Sequence, residues 1–252
     1  MDVSTTARAT LAQIKAEILR TVRNKRFVIF SIIMPAAFYF IFTSTVGDNT
    51  QVGGTDWKAY YLMSMTTYGV IGASVTSLAV RIARERSQGW TRLMRITPLP
   101  GWAQITAKVA GQGLLNLCII LFMFLIGALV KDVNLTALQW IESGLWIWLG
   151  AFAFMSLGTL LGTIRNVEVV QVVGNMVYMA MSIVGGLWMP TATMPDLMQT
   201  IAKAMPTYQL GQGAWSIVGG GAIEWMGVGI LAAYVVVFMI LSTYIIRKQE
   251  AV

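Results

Sequence analysis

The sequence predicts an all-α integral membrane protein: six transmembrane helices, an N-terminal interfacial helix, a cytoplasmic helix between spans two and three, and a re-entrant external segment between spans five and six. Three observations predict it. The 252 residues are 56% apolar and only 12% charged, with a mean hydropathy of +0.68. That is too few charges to coat a soluble globule of 27.6 kDa, since soluble domains carry about 25%. Six charge-free windows are each long enough to cross a bilayer, which takes roughly 20 helical residues. The charges that remain gather in alternate connections. Zero histidines and one cysteine, Cys118, remove imidazole bases, histidine metal sites and any intrachain disulfide. No catalytic or metal-binding residue is therefore expected.

Taken in order, residues 1–26 open the chain with Ala7, Leu11, Ile14, Ile18 and Val22 at helical spacing among basic residues, the pattern of a helix lying in the membrane interface. A plain surface anchor and a mechanical role both fit it. The spans follow at 27–46, 59–80, 109–130, 143–164, 169–188 and 225–246, with no Asp, Glu, Lys or Arg in any of them. A charge at a helix centre costs about 2.5–3.5 kcal/mol on insertion scales. A seventh charge-free stretch, 204–223, contains Pro206, Gln209, Gln212 and five glycines and is not counted as a span.

Six crossings place both termini on one side. That side holds fifteen basic residues, including Arg20, Arg23, Arg81, Arg84, Arg92 and Lys108, against five acidic ones; the other holds Lys58, Lys131 and Lys203 against six. The basic side is the cytoplasmic one, and its surplus charge suits anionic lipid headgroups, so nucleic acid is not an expected partner. About 26 polar residues precede the first apolar run, unlike a cleavable signal peptide. Trp57, Tyr60, Tyr61, Trp140, Trp146, Trp188 and Trp225 fall near span ends, where amphipathic rings favour the headgroup layer.

The connection at 81–108 is the most informative segment. Residues 82–97 can form a short basic helix with Leu93, Met94 and Ile96 as apolar contacts, stopped by Pro98 and Pro100. Composition alone also allows a plain connector. The pattern Glu85-Arg86, Gly89, Leu93, Thr97-Pro98 and Lys108 resembles the intracellular-loop signature of type-2 ABC exporter permeases, the membrane subunits of many bacterial exporters. The resemblance implies a coupling helix seated in a separate ATP-binding subunit, with Glu85, Arg86, Gly89, Trp90, Leu93, Thr97 and Pro98 at the contact. Trp90 departs from the family pattern, where a small polar residue often follows the glycine. The segment 189–224, with Gly186 and Pro190, Pro195 and Pro206 at its turns, is similar to the family's external re-entrant helices and implies an outer gate there.

No G-x-x-x-x-G-K-[ST] phosphate loop is present, so ATP and magnesium belong to a partner ATPase. The acid-free spans argue against proton-coupled transport and charge-selective conduction. Polar residues in spans two and five, Ser64, Thr67, Ser74 and Thr76, then Gln171, Asn175 and Tyr178, are candidates for a translocation path. Interhelical packing accounts for any of them equally well. The resemblance implies that spans two and five line a path between two permease copies, or one copy and a homologue. The expected function is the permease of an ATP-driven exporter in a bacterial cell membrane, moving a lipophilic drug, antibiotic or lipid-like molecule by alternating access. A polysaccharide or lipid-linked glycan exporter, and a non-transporting membrane sensor or structural subunit that binds an ATPase, are the alternatives.

Overall fold

The least apolar of the long helices is also the most buried. Among the described residues five helical stretches are long and apolar enough to cross a membrane, and of these Trp57–Ser87 has the lowest hydropathy and the largest buried share, 78%, whereas Val167–Val184 and Trp225–Gln249 are 17% and 11% buried. A soluble protein would invert this order. In lipid, small and polar side chains draw helices together while aliphatic ones face outward. The computed structural model from which this is read describes residues 3–23, 25–46, 50–90 and 101–250.

The architecture is essentially all helical. α1 (Val3–Arg23) and α2 (Lys25–Thr45) precede a two-stranded hairpin, β1 (Gln51–Val52) and β2 (Thr55–Asp56). Gly53 and Gly54 both turn at positive φ, 60° and 81°, the geometry a two-residue hairpin favours. α3 (Trp57–Gly72) continues through a π-helical turn, Ala73–Ser77, into α4 (Leu78–Ser87). α5 (Gly101–Val130), α6 (Ala137–Leu161) and α7 (Val167–Val184) are the next long helices, and α8 (Asp196–Ala204) and α9 (Pro206–Val218) are short ones before α10 (Trp225–Glu250). Local chemistry sets several starts: Thr136 and Gln139 form a reciprocal capping box for α6, the Asn166 side chain accepts from Glu168 and Val169 to start α7, and Pro206 begins α9.

Several expected boundaries move. The helix expected to end at residue 80 runs on to Ser87, and that expected to begin at 109 begins at Gly101, so both ends of the 81–108 connection extend the spans. Arginines at a helix end are tolerated because they can reach the interface or pair inside the bundle. α7 stops at Val184 rather than 188, where Gly185 caps it. For the first span, α2 (Lys25–Thr45) covers the expected 27–46 to within one residue of its end.

α3, the π turn and α4 form the axis on which α2, α5, α6, α7 and α9 pack. Pro35 of α2 and Ile119 of α5 close on Gly69, and the Tyr39 hydroxyl donates to the Lys58 carbonyl at 3.3 Å. α9 lies buried between α3, α6 and α10. Trp215 of α9 stacks on Tyr60 at 4.8 Å and donates from its indole N–H to Ser64 Oγ at 2.9 Å, while Trp146 of α6 donates to the Leu210 carbonyl at 2.8 Å. α9 is thus a short helix held on its sides by α3 and α6. Within it, burial and the nearby Glu224 push the Tyr208 phenol above its ordinary range.

Candidate functional site at the basic end

Five charged side chains from α1, α4 and α5 meet where the long helices carry their arginines. Glu17, 1% exposed, and Glu85, 8% exposed, are the acids. Arg20 donates to Glu85 Oε1 at 2.7 Å, and Lys108 binds Glu85 Oε2 and approaches Glu17 Oε1 at 3.5 Å. Arg81 lies 3.9 Å from Glu17 Oε2. Buried carboxylates demand such company, because an unpaired one costs several kcal/mol. The arrangement ties α1 to both ends of the connection between α4 and α5, and Gly111 of α5 lets the Glu17 backbone and Cβ approach closely. α1 therefore turns Thr10 and Glu17 inward and leaves Leu11 and Leu19 65% and 47% exposed, with its apolar residues free to meet lipid.

Arg86 points to a different pair of helices. It donates to the Thr163 carbonyl at 3.1 Å and to the Gln249 side chain, and Gln249 in turn donates to the Thr163 carbonyl at 3.2 Å. The end of α4 is thereby fastened to the ends of α6 and α10. Gly89, at φ 72°, ends the helix where a side chain would be strained, and Trp90 beyond it lies under Arg20 at 5.2 Å. Leu93, Thr97 and Pro98 lie outside the described residues. Of the residues expected at the ATPase contact, then, Glu85, Arg86 and Trp90 make contacts within this chain.

A cavity of about 610 Å³ opens beside this cluster, lined by residues of α1, the π turn, α4 and α7 together with Gln88 and Trp90. Gln171, one of the expected path residues, lines it, as does Thr76, whose hydroxyl donates to Asn175 Oδ1 at 3.3 Å. Gln171 and Asn175 are exposed, one turn apart on α7.

Of the other expected path residues, Ser64, Ser74 and Tyr178 tie helices together. Ser64 holds Trp215, Ser74 Oγ accepts from Asn116 at 2.9 Å, and Thr67 is fully buried. The Tyr178 hydroxyl donates to the Tyr68 carbonyl at 3.1 Å, its ring stacked 4.6 Å from that of Tyr68. The expected gate residues fall at breaks between short helices: Gly186 just after α7, Pro190 before a 3-10 turn at Thr191–Thr193, Pro195 before α8 and Pro206 at the start of α9. Sequence reasoning missed Glu17, Arg20 and Arg81 as members of one site, whereas Thr76, Gln171 and Asn175 are polar span residues that it marks as candidates for the path. Only Glu17, an acid amid a basic helix, gave any signal.

Among the described residues no group of three or more acidic, His or Cys side chains could hold a metal. Residues 49–244 match a family model described as ABC-2 family transporter protein. A Bacillus subtilis (strain 168) protein, YvfS, whose name proposes a transport permease, is 46% identical over 237 residues, covering 94% of this chain and 96% of its own length. The resemblance carried by residues 85–108 is thus borne out: the chain belongs to the ABC-2 transporter family, as a membrane permease of an ABC transporter, and that membership implies association with an ABC ATP-binding subunit.

Proposed function

We propose that the chain is the permease half of an ATP-driven exporter, with both termini and the basic end in the cytoplasm, working as a pair of copies or with a homologue. Its cargo is a lipophilic drug, antibiotic or lipid-like molecule, moved by alternating access, and the ATP and magnesium reside in the partner ATPase. The observation that carries this reading is the pair of amides, Gln171 and Asn175, exposed one turn apart on α7 among Val172, Met176 and Met179, which are also exposed. Exposed amides at membrane depth are unfavourable against hydrocarbon. A second subunit across a polar path relieves them, and flexible methionines suit a pliable wall.

The coupling follows from continuity. α3, the π turn and α4 are one helical rod from Trp57 to Ser87. A partner that draws on the segment 85–98 in response to ATP moves that rod, and with it Ser64 and its indole partner Trp215 near the proposed outer gate at 186–206. ATP must favour one state over the other by about 5.5 kcal/mol to reverse a 1:99 population.

The test is ATP-dependent uptake of a lipophilic dye into inside-out vesicles carrying the permease with its ATPase. Gln171→Leu with Asn175→Leu is expected to abolish flux while insertion and ATPase binding persist. Undiminished flux removes the path from α7, and complex formation without flux of any cargo favours the sensor alternative.

A further inference from the structure

The cavity at the basic end carries an unbalanced charge. Four arginines, Arg20, Arg23, Arg81 and Arg84, line it against one carboxylate, Glu85, which is already held by Arg20 and Lys108. Arg81 lies near buried Glu17. Arg23 and Arg84 are exposed, and among the described residues no carboxylate pairs with either. The volume, about 610 Å³, lies within the range of small-molecule sites, roughly 300–1,000 Å³. Guanidinium groups converging on a concavity present forked donors that match phosphate oxygens.

The lining combines three chemistries. Beside the arginines, Thr76, Ser77 and Gln171 supply neutral polar groups, and Val80 and Trp90 supply apolar surface. From Gln171 the exposed face of α7 continues through Val172, Met176 and Met179 along the span. A ligand with an anionic head and a long apolar tail meets complementary chemistry along this whole line. An uncharged drug leaves Arg23 and Arg84 without a partner.

We infer that this cavity is a binding site for the phosphate headgroup of an amphiphile, with Arg23 and Arg84 as its principal contacts and the tail laid along α7. The inference deepens the exporter reading, resting on it only for the assignment of the cavity to the inner leaflet. The same chemistry comes from a resident anionic lipid or from an amphiphilic phosphate that is itself the cargo.

The experiment measures binding of dodecyl phosphate, dodecyl maltoside and inorganic phosphate to the full chain in phosphatidylcholine nanodiscs, without ATPase. Dodecyl phosphate is expected to bind and to weaken with salt. Binding should fall about tenfold or more in the Arg23→Gln, Arg84→Gln double variant and be largely kept in the Arg23→Lys, Arg84→Lys variant, with unchanged thermal unfolding in both. Inorganic phosphate should compete only weakly. Equal binding of dodecyl maltoside, or full retention of dodecyl phosphate binding by the glutamine variant, overturns the site.

Adding the ATPase in proteoliposomes separates the two sources. Stimulated hydrolysis and translocation of dodecyl phosphate mark cargo, and binding with neither marks a resident lipid; both keep the site. Arginine-dependent binding with no ATP-driven flux of any compound keeps the site and removes the exporter reading. Flux without such binding does the reverse.

Discussion

A methyl group on Gly158 of α6 would lie 2.3 Å from the carbonyl oxygen of Ser74 in the π turn. The two backbones are therefore in direct contact, and Gly162 one turn on meets Ile82 and the Ala79 carbonyl in the same way. Gly158→Ala must push α6 away from the turn, and overpacking of this kind costs about 1–3 kcal/mol. Thermal unfolding in detergent should show the loss. Gly229→Ala, at a site with nothing within 4 Å, should be neutral or mildly stabilising.

Asn116 joins α5 to the same turn, donating to Ser74 Oγ at 2.9 Å while accepting from Gln112 at 3.1 Å. All three residues are fully buried. Interhelical hydrogen bonds in membranes average about 0.6 kcal/mol and reach about 1.7. Asn116→Ala should cost toward the upper end of that range, because it strands Ser74 and Gln112 together. A double-mutant cycle with Ser74→Ala should return a coupling energy above the noise of the unfolding assay.

Glu85 is the hinge of the charge cluster. Glu85→Gln leaves Lys108 and Arg20 facing an amide, and the expected loss is about 1–3 kcal/mol of stability, measured by unfolding at low salt. The paired reversal Glu85→Lys, Lys108→Glu should not recover it, because the new lysine meets Arg20 and the new glutamate meets Glu17. An unchanged melting temperature in the single variant would show that the cluster is solvated and contributes little.

The two ends of the molecule should be reachable from opposite sides of the membrane. In a Cys118→Ser background, a cysteine at Gln88 should react with an impermeant thiol reagent only from the cytoplasm, and one at Gly221, past the end of α9, only from outside. Labelling of both from one side would overturn the topology. Trp215→Phe, which removes the donor to Ser64, should increase labelling at Gln212 by loosening α9 from α3.

The five spans from Trp57 onward were legible because charge exclusion is a property of single segments: Trp225 to Ile246 reads as a membrane helix with no knowledge of its neighbours. The hairpin at Gly53 and Gly54 was not legible, because strands of two residues carry no alternation of apolar and polar positions. What could not be read was anything that depends on pairing. Glu17 and Lys108 meet 91 positions apart, and no local pattern tells an acid on an amphipathic helix to face inward. Ser64, Thr67 and Ser74 were ambiguous for the same reason: a hydroxyl that lines a path and one that fastens two helices have identical sequence signatures, and only the position of Trp215 or Asn116 separates them.

The π turn at Ala73–Ser77 holds one residue of slack in an otherwise continuous rod. Were it to tighten into regular α-helix, everything beyond it would rotate by about 100° and advance about 1.5 Å. Glu85 would then swing away from Lys108 while Trp57 stayed in place. A single deletion within 73–77 would remove the slack and leave both halves in their present phase, so the wide turn is the point at which the rod's freedom to change phase can be taken away without disturbing its contacts.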